Sequence, residues 1–468
     1  MSQIRQLEDQ LDVKRKELAE TRNIVAPIRR LPFELLSQIF YEYCILPGNH
    51  KSTKPQILIS QVCSTFRTVA RASPRLWTRL DILIGKKGFP GLSDMVSDWL
   101  GRSGSLPLDV SILDKSMDSF AFPQDLPSRL IPFCNRLQFL KLVISIRVLA
   151  SILDQLSFPA LTNLDLAFRQ IAAVPPILRR FTALLDAPRL NSVTLRRDLG
   201  SQSPASEIIL DMLPLPVKQL QYIHLKLRDD DSLNPRSYLD VLHSCCHTLV
   251  ECRLRCPAWP RSDSSSPLSP ITFHTLKLLS LEQWEDESES RFIQLITVPS
   301  LVTLCIDHSK YGGDDPSDIS EHLIDLQTRS SAPLLTLELI RVRMMSAHDI
   351  LDVLAVFPTL KHLELWNCNL NTNALMRGLE LRKCRRCLVL GLESLRLVDY
   401  EVIPRYSNRS IVDMVESRTG SGEGGPKGCL EALTLSFEKH DLDEELDRLD
   451  ELLDFEFLDD HSSEWLDD

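Results

Sequence analysis

The chain has 468 residues, 43% hydrophobic and 25% charged, with a formal net charge of −11. That length holds several domains or one long array, and the composition is that of an ordinary globular protein. No run of about 18 uninterrupted apolar residues is present, which argues against a membrane span, and the charged stretch Met1 to Arg30 argues against a secretory leader. The acidity is local: residues 441–468 carry fourteen Asp and Glu against one Arg. The remainder is near neutral and lacks the basic excess that nucleic-acid binding needs.

Residues 1–26 predict an amphipathic helix. Ile4, Leu7, Leu11, Lys14, Leu18, Thr21 and Val25 alternate at spacings of three and four, a heptad pattern interrupted at Lys14 and Thr21. A solvated lead-in helix and a short self-associating coiled coil are both compatible with it.

Residues 27–82 begin PIRRLPFELLSQIFYEYC and, after a polar insert at 47–55, continue ILISQVCSTFRTVARASPRLWTRLDI. Pro32 suits a first helical position, and Glu34 complements the positive end of the helix dipole. Leu35 with Ile39, and Leu36 with Phe40 and Tyr43, then make a wide apolar stripe. A second helix is predicted to put Val62, Cys63, Phe66, Val69 and Ala70 on one face and to stop at Ser73-Pro74. Leu76 and Trp77 follow as large apolar anchors, and so short a helical unit expects a partner for its stripe.

In this order of residues the segment resembles the F-box family: Leu-Pro, a Leu-Leu and Ile-Phe helix, Val-Cys with an aromatic three residues on, then Pro-Arg-Leu-Trp. Phe66 stands where the family usually has tryptophan, and Trp99 to Ile112 is similar to the segment that follows the F-box in many fungal members. The resemblance implies docking on a small Skp-type adaptor and, through it, on a cullin-RING ubiquitin ligase. The contacts it implies are Leu31, Pro32, Leu35, Leu36, Ile39 and Phe40 from the first helix, then Val62, Cys63, Val69, Leu76 and Trp77.

Residues 83–130 are less regular. The alternation Leu106-Leu108-Val110 predicts a strand and Trp99-Leu100 the end of a helix, so the segment is expected to cap the array that follows.

From 131 to 440 the chain repeats a ladder, Leu-x-x-Leu-x-Leu, eleven times, from Leu137-Leu140-Leu142 to Leu430-Leu433-Leu435, at intervals of 24 to 38 residues. Most intervals lie at or just above the leucine-rich-repeat period. Leucines at the fourth and sixth positions share one face of a strand because side chains alternate. One repeat cannot cover its own apolar face, so neighbours must stack. Helical patterns such as 150–156 and 350–357 would line the outer side. The fold class expected is therefore an α/β solenoid, a leucine-rich-repeat horseshoe, preceded by the small all-α F-box and the short N-terminal helix.

Cys252, Cys256, Cys305, Cys368 and Cys429 fall in or beside ladder strands, where a small hydrophobe is wanted. Cys384-x-x-Cys387 has no second pair at finger spacing, so free thiols rather than structural zinc are expected. Arg261 to Pro270 and Thr419 to Gly428 read as loops, the first with two Ser-Pro steps. Leu442, Leu446, Leu449 and Leu453 predict a helix over 441–454 that caps the last repeat; 455–468 reads as disordered or partner-seeking.

The third, fifth and seventh ladder positions should face the concave side. Early repeats present Phe139, Lys141, Asp165, Arg196, Tyr222, His224, Lys226, Glu251, Arg253 and Arg255, which lean basic. Later ones present Glu282, Asp307, Glu338, His362, Glu364, Trp366 and Arg396, which lean acidic. The candidate target contacts are Tyr222, His224, Lys226, Arg253, Arg255, Glu338, Glu364 and Trp366, with Tyr222 and Trp366 the aromatic hot-spot candidates.

No hydrolase elbow, zinc-protease motif, phosphate loop or dinucleotide fingerprint occurs. The expectation is a non-catalytic substrate receptor in the cytoplasm or nucleus, without cofactor, metal, membrane or nucleic acid. Its partners would be the adaptor and a protein target. An interaction scaffold without ligase function is the alternative.

Overall fold

The strands form because ladder leucines at alternate positions must all reach one side of the backbone, and they pair because each strand's neighbour carries the same pattern. The structure is a computed structural model that describes residues 10–11, 13–18, 27–46, 54–85, 90–115, 122–169, 182–197, 214–226, 235–256, 270–283, 288–308, 319–342, 345–381, 387–399, 408–419, 428–436, 449 and 451–458. The chain divides into two units, residues 1–140 and 141–468. Residues 10–11 and 13–18 are helical, with Leu11 and Leu18 exposed; Ile4, Leu7, Thr21 and Val25 lie outside the described residues.

In the first unit, α1 (Phe33–Ile45) is followed by α2 (Pro55–Val62) and α3 (Ser64–Arg71). Sequence reading expects one helix where α2 and α3 stand. Cys63 breaks it: the residue is fully extended, and its sulfur caps α3 by accepting the Phe66 N–H at 3.4 Å. Leu36, Phe40 and Cys44 of α1 are buried, with Phe40 edge-on to Phe66 at 4.9 Å. A 3-10 turn, Pro74–Trp77, then leads into β1 (Arg79–Ile84), so the segment 27–82 is not purely helical. After α4 (Leu92–Arg102), β2 (Leu108–Asp114) pairs with β1 in parallel, Leu80 opposite Val110 and Ile82 opposite Ile112. The unit closes with α5 (Leu126–Leu130), and β3 (Leu137–Ser145) crosses its boundary. Trp77 is its anchor, only 1% exposed. Its indole donates to the Ala70 carbonyl at 2.8 Å, its ring meets Trp99 edge-on at 4.7 Å, and the Arg102 guanidinium lies over it at 4.6 Å.

The second unit is a parallel β-sheet with helices, a leucine-rich-repeat-like solenoid. After α6 (Ile146–Gln155) come β4 (Asn163–Arg169), β5 (Ser192–Arg197), β6 (Tyr222–Lys226), α7 (Pro235–Cys245) and β7 (Glu251–Cys256). Then follow β8 (Ile271–Thr272), β9 (Leu278–Gln283), α8 (Ser288–Leu295), β10 (Ile296–Thr297) and β11 (Thr303–Asp307). The last stretch holds α9 (Ile319–Ser330), β12 (Thr336–Ile340), α10 (Ala347–Val356), β13 (His362–Trp366) and α11 (Thr372–Leu379). It ends with β14 (Ser394–Val398), α12 (Asn408–Arg418), β15 (Ala432–Ser436) and β16 (Asp454–Leu458). In the sheet the order from β4 is β5, β6, β7, β9, β11, β12, β13, β14, β15, β16, while β8 and β10 pair separately. From α8 to α12 each helix packs on the next.

Ladder leucines stay in register from strand to strand: Leu304 pairs with Leu337, Leu337 with Leu363, and Leu363 with Leu395, all four fully buried. Each such side chain contributes about 1.5–3 kcal/mol. A second, polar ladder reinforces the first. At four repeats the residue before the first ladder leucine donates from its side chain to the carbonyl of the previous repeat's first leucine. Gln219 bonds Leu190, Thr248 bonds Leu220, Thr275 bonds Leu249 and Thr359 bonds Leu334, at 2.7–2.8 Å. At the strand exit, Cys368 donates to the Leu339 carbonyl of the preceding strand at 3.3 Å.

The acidic end differs from its sequence reading. Leu449, Glu451 and Leu452 are helical, but Asp454–Leu458 is a strand, with Phe455 opposite Leu433 and Phe457 opposite Leu435. Leu452-x-x-Phe455-x-Phe457 is a twelfth ladder in which phenylalanine replaces leucine. The remainder of 441–468, most of the loops at 261–270 and 419–428, and Cys384 lie outside the described residues.

Arg418 at the end of α12 is fully buried and donates to three carbonyls: Leu379 (2.8 Å), Val389 (2.9 Å) and Leu388 (2.8 Å). Burial lowers its pKa to about 10. Arg418→Met would leave the buried Leu379 and Val389 carbonyls and the half-buried Leu388 carbonyl without these donors, at about 1–3 kcal/mol for each that water cannot reach. We expect a lower thermal midpoint by circular dichroism for Arg418→Met, with only partial recovery in Arg418→Lys, because an ammonium cannot span all three carbonyls.

Candidate protein-binding surfaces

Two surfaces carry the residues singled out from sequence. The first is on α1, whose one side, Leu36-Phe40-Cys44, is core. The adjoining stripe points outward: Leu35 is 51% and Ile39 45% exposed, with Tyr43 exposed beside them, while Phe33 is exposed on another side of the helix at its first turn. Pro32 is exposed, Leu31 and Cys63 are half-buried, and Val62 at the end of α2 is 67% exposed, near the exposed Ile57 and Leu58. Leu36, Phe40, Val69, Leu76 and Trp77 are instead buried inside the unit. A helix has room for one core stripe, and these side chains fill it. The outward residues therefore form an apolar surface of the kind that marks interaction sites.

The second surface is the sheet face opposite the ladder leucines. Parallel pairing aligns its fifth positions as a row: Asp165, Thr194, His224, Arg253, Ser280, Cys305, Glu338, Glu364, Arg396, Thr434 and Glu456. The seventh positions put Arg196 beside Lys226, and Arg255 beside Glu282. Charges pair across strands. Asp165 receives Arg196 at 2.6 Å and Lys141 at 3.4 Å; Glu282 receives Arg255 at 2.6 Å and Lys226 at 3.4 Å. Arg253 pairs with Glu251 on its own strand at 2.7 Å. Tyr222 is 40% exposed, whereas Arg255 is buried and supports the face from within.

His224 sits among these cations. Burial, then the charges of Lys226, Arg253 and Arg196, push its pKa from 6.5 down to about 4, with Glu282 opposing. It is a neutral ring near pH 7. On the acidic half, burial and the neighbouring Glu364 carboxylate raise the pKa of Glu338. Burial and Glu338 push the Cys305 thiol up to about 12, which keeps it protonated near neutral pH. Trp366 is half-buried and donates its indole N–H to Glu364 at 3.1 Å, with Arg396 over its ring at 5.4 Å. Cys305 lies half-buried on this face rather than in the core, and Cys429 is exposed; Cys252, Cys256 and Cys368 are buried.

Among the described residues no group of His, Cys, Asp and Glu could hold a metal ion, and no helix is long and apolar enough to cross a membrane. Sequence reasoning missed the inter-strand ion pairs and the twelfth ladder. The regular repeat interval was the signal for the pairs, since it brings residues about one period apart side by side.

Comparison with protein-family models and with curated proteins finds no match. Among solved structures, the chain is similar to a chain in the crystal structure of the yeast Rad7 and Elc1 complex. The identity is 12% and the TM-score 0.36, over 96% of this chain and 97% of that one. At that level the likeness carries nothing about partner or activity.

The His224 shift makes a signed prediction. A depressed folded-state pKa means that the unfolded chain binds the proton first, so stability falls as pH drops from about 6.5 to about 4. We expect a His224 ring titration near pH 4 by NMR, and a shallower loss of stability in His224→Gln over the same interval. Titration at an ordinary value would mean an open ring.

Proposed function

We propose that the chain is a substrate receptor of a Skp–cullin–F-box type ubiquitin ligase. In this reading the 27–82 segment docks on a Skp-type adaptor and the sheet face of the repeats holds a protein target. The observation that carries it is the outward stripe Leu35-Ile39, which no described part of the chain covers, on a helix whose sequence resembles the F-box. Pro32 and Val62, implied contacts of the same resemblance, are exposed as well, while Leu36, Phe40, Val69, Leu76 and Trp77 shape the helices of the unit. The receptor performs no chemistry. It raises the local concentration of a target lysine near the conjugating enzyme.

The test is capture of a purified Skp-type adaptor by the intact chain and by a Leu35→Asp, Ile39→Asp variant. Two charges placed on a surface that becomes desolvated should cost several kcal/mol, roughly, of binding. Because both side chains are exposed in the free protein, the variant should remain folded by circular dichroism yet lose capture. An intact chain that captures no adaptor contradicts the receptor reading and favours a scaffold.

A further inference from the structure

We propose that the sheet face over β4 to β7 receives an extended acidic segment of a partner protein, its carboxylates met by Arg196, Lys226 and Arg253. The inference rests on the reading of the sheet face as the target-holding surface and specifies the chemistry of what it holds.

From β3 to β9 five cations, Lys141, Arg196, Lys226, Arg253 and Arg255, share the described face with three carboxylates, Asp165, Glu251 and Glu282; Asp307 beside Glu282 and Glu338, which Arg253 feels, mark the acidic border on the next strands. Asp165 serves both Lys141 and Arg196, and Glu282 serves both Arg255 and Lys226. Each bridged carboxylate holds two long side chains in place and neutralises only one of them. Part of the cost of ordering those side chains is therefore met before a ligand arrives. The surplus charge is accessible: the side chains of Arg196, Lys226 and Arg253 are 35%, 39% and 48% exposed.

Geometry favours an extended chain. Arg196 and Lys226 are register partners on neighbouring strands, about 4.8 Å apart in the sheet. A peptide in extended form repeats its same-side residues at about 6.8 Å, which flexible Arg and Lys heads can follow. A nucleic-acid backbone fits less well, because Asp165, Glu251 and Glu282 stand in its path, whereas separate carboxylates can be seated between them. The other half of the face offers no such surplus. There one arginine, Arg396, lies 3.9 Å from Glu364 and 3.3 Å from Glu456 and covers Trp366. Its seventh-position row runs through Ile340, Trp366 and Val398.

The test uses the full chain and a short fluorescent peptide of alternating glutamate and serine, read by anisotropy. A lysine–serine peptide and a single-stranded oligonucleotide are run in parallel. We expect binding of the glutamate peptide, weakened roughly tenfold or more in Arg196→Glu, Lys226→Glu. Arg129→Glu, a charge reversal in the first unit, should leave it unchanged. The His224 ring resonance should move on peptide addition in the intact chain, which binding elsewhere would not cause. If the double reversal does not fold, Arg196→Gln, Lys226→Gln must show a loss in the same direction.

The proposal is overturned if the intact chain does not bind the glutamate peptide, if Arg129→Glu weakens it equally, or if the lysine peptide or oligonucleotide binds more tightly. Adaptor capture separates this proposal from the receptor reading. Lost peptide binding with retained capture removes only the acidic-segment assignment. Retained peptide binding with no capture removes the receptor reading.

Discussion

Parallel register is the constraint on which the second unit depends. A ladder leucine is buried only if the strands on either side put theirs at the same height, as Leu304, Leu337, Leu363 and Leu395 do. A slip of one residue would turn a strand's leucines to solvent and its charged residues into the core. The side-chain bonds from Gln219, Thr248, Thr275 and Thr359 to the preceding repeat fix the same height from the turn that enters each strand. Apolar and polar ladders thus enforce one alignment.

The sheet face inherits that alignment. Once the leucines are matched, residues a repeat apart become neighbours, and Arg196 must lie beside Asp165, and Arg255 beside Glu282. The result is a fixed array of charges, basic on one half and built around a single arginine on the other. His224 records the field of the basic half, held neutral by burial and three neighbouring cations. The first unit solves a different problem. Its core is anchored on Trp77, and α1 has more apolar residues than the core accepts, so Leu35 and Ile39 remain outside.

Much of this was legible in the sequence. The leucine spacing gives strand positions, parallel pairing and the composition of the open face, since alternation decides all three. It failed where another residue does the leucine's work. Leu452-Phe455-Phe457 is a ladder by position, yet phenylalanine hides it, and the carboxylates around Phe455 suggest an unstructured end. Cys63 interrupts a good helical pattern because its thiol caps the next helix, which periodicity cannot show. Arg418 carried no signal, since an arginine at a helix end reads as an exposed charge complementing the dipole. For residues 27–82, the pattern identified a wide stripe but not which side of it is core. Leu36 and Leu35 are adjacent in sequence and opposite in fate.

The proposed receptor function requires one chain to hold an adaptor and a target at the same time. The most direct measurement is calorimetric titration of an acidic peptide into the chain alone and into the chain saturated with a Skp-type adaptor. Two independent surfaces give the same affinity in both and a complex containing all three components. Loss of peptide binding in the presence of the adaptor would contradict the receptor reading, because a receptor must hold its target while docked.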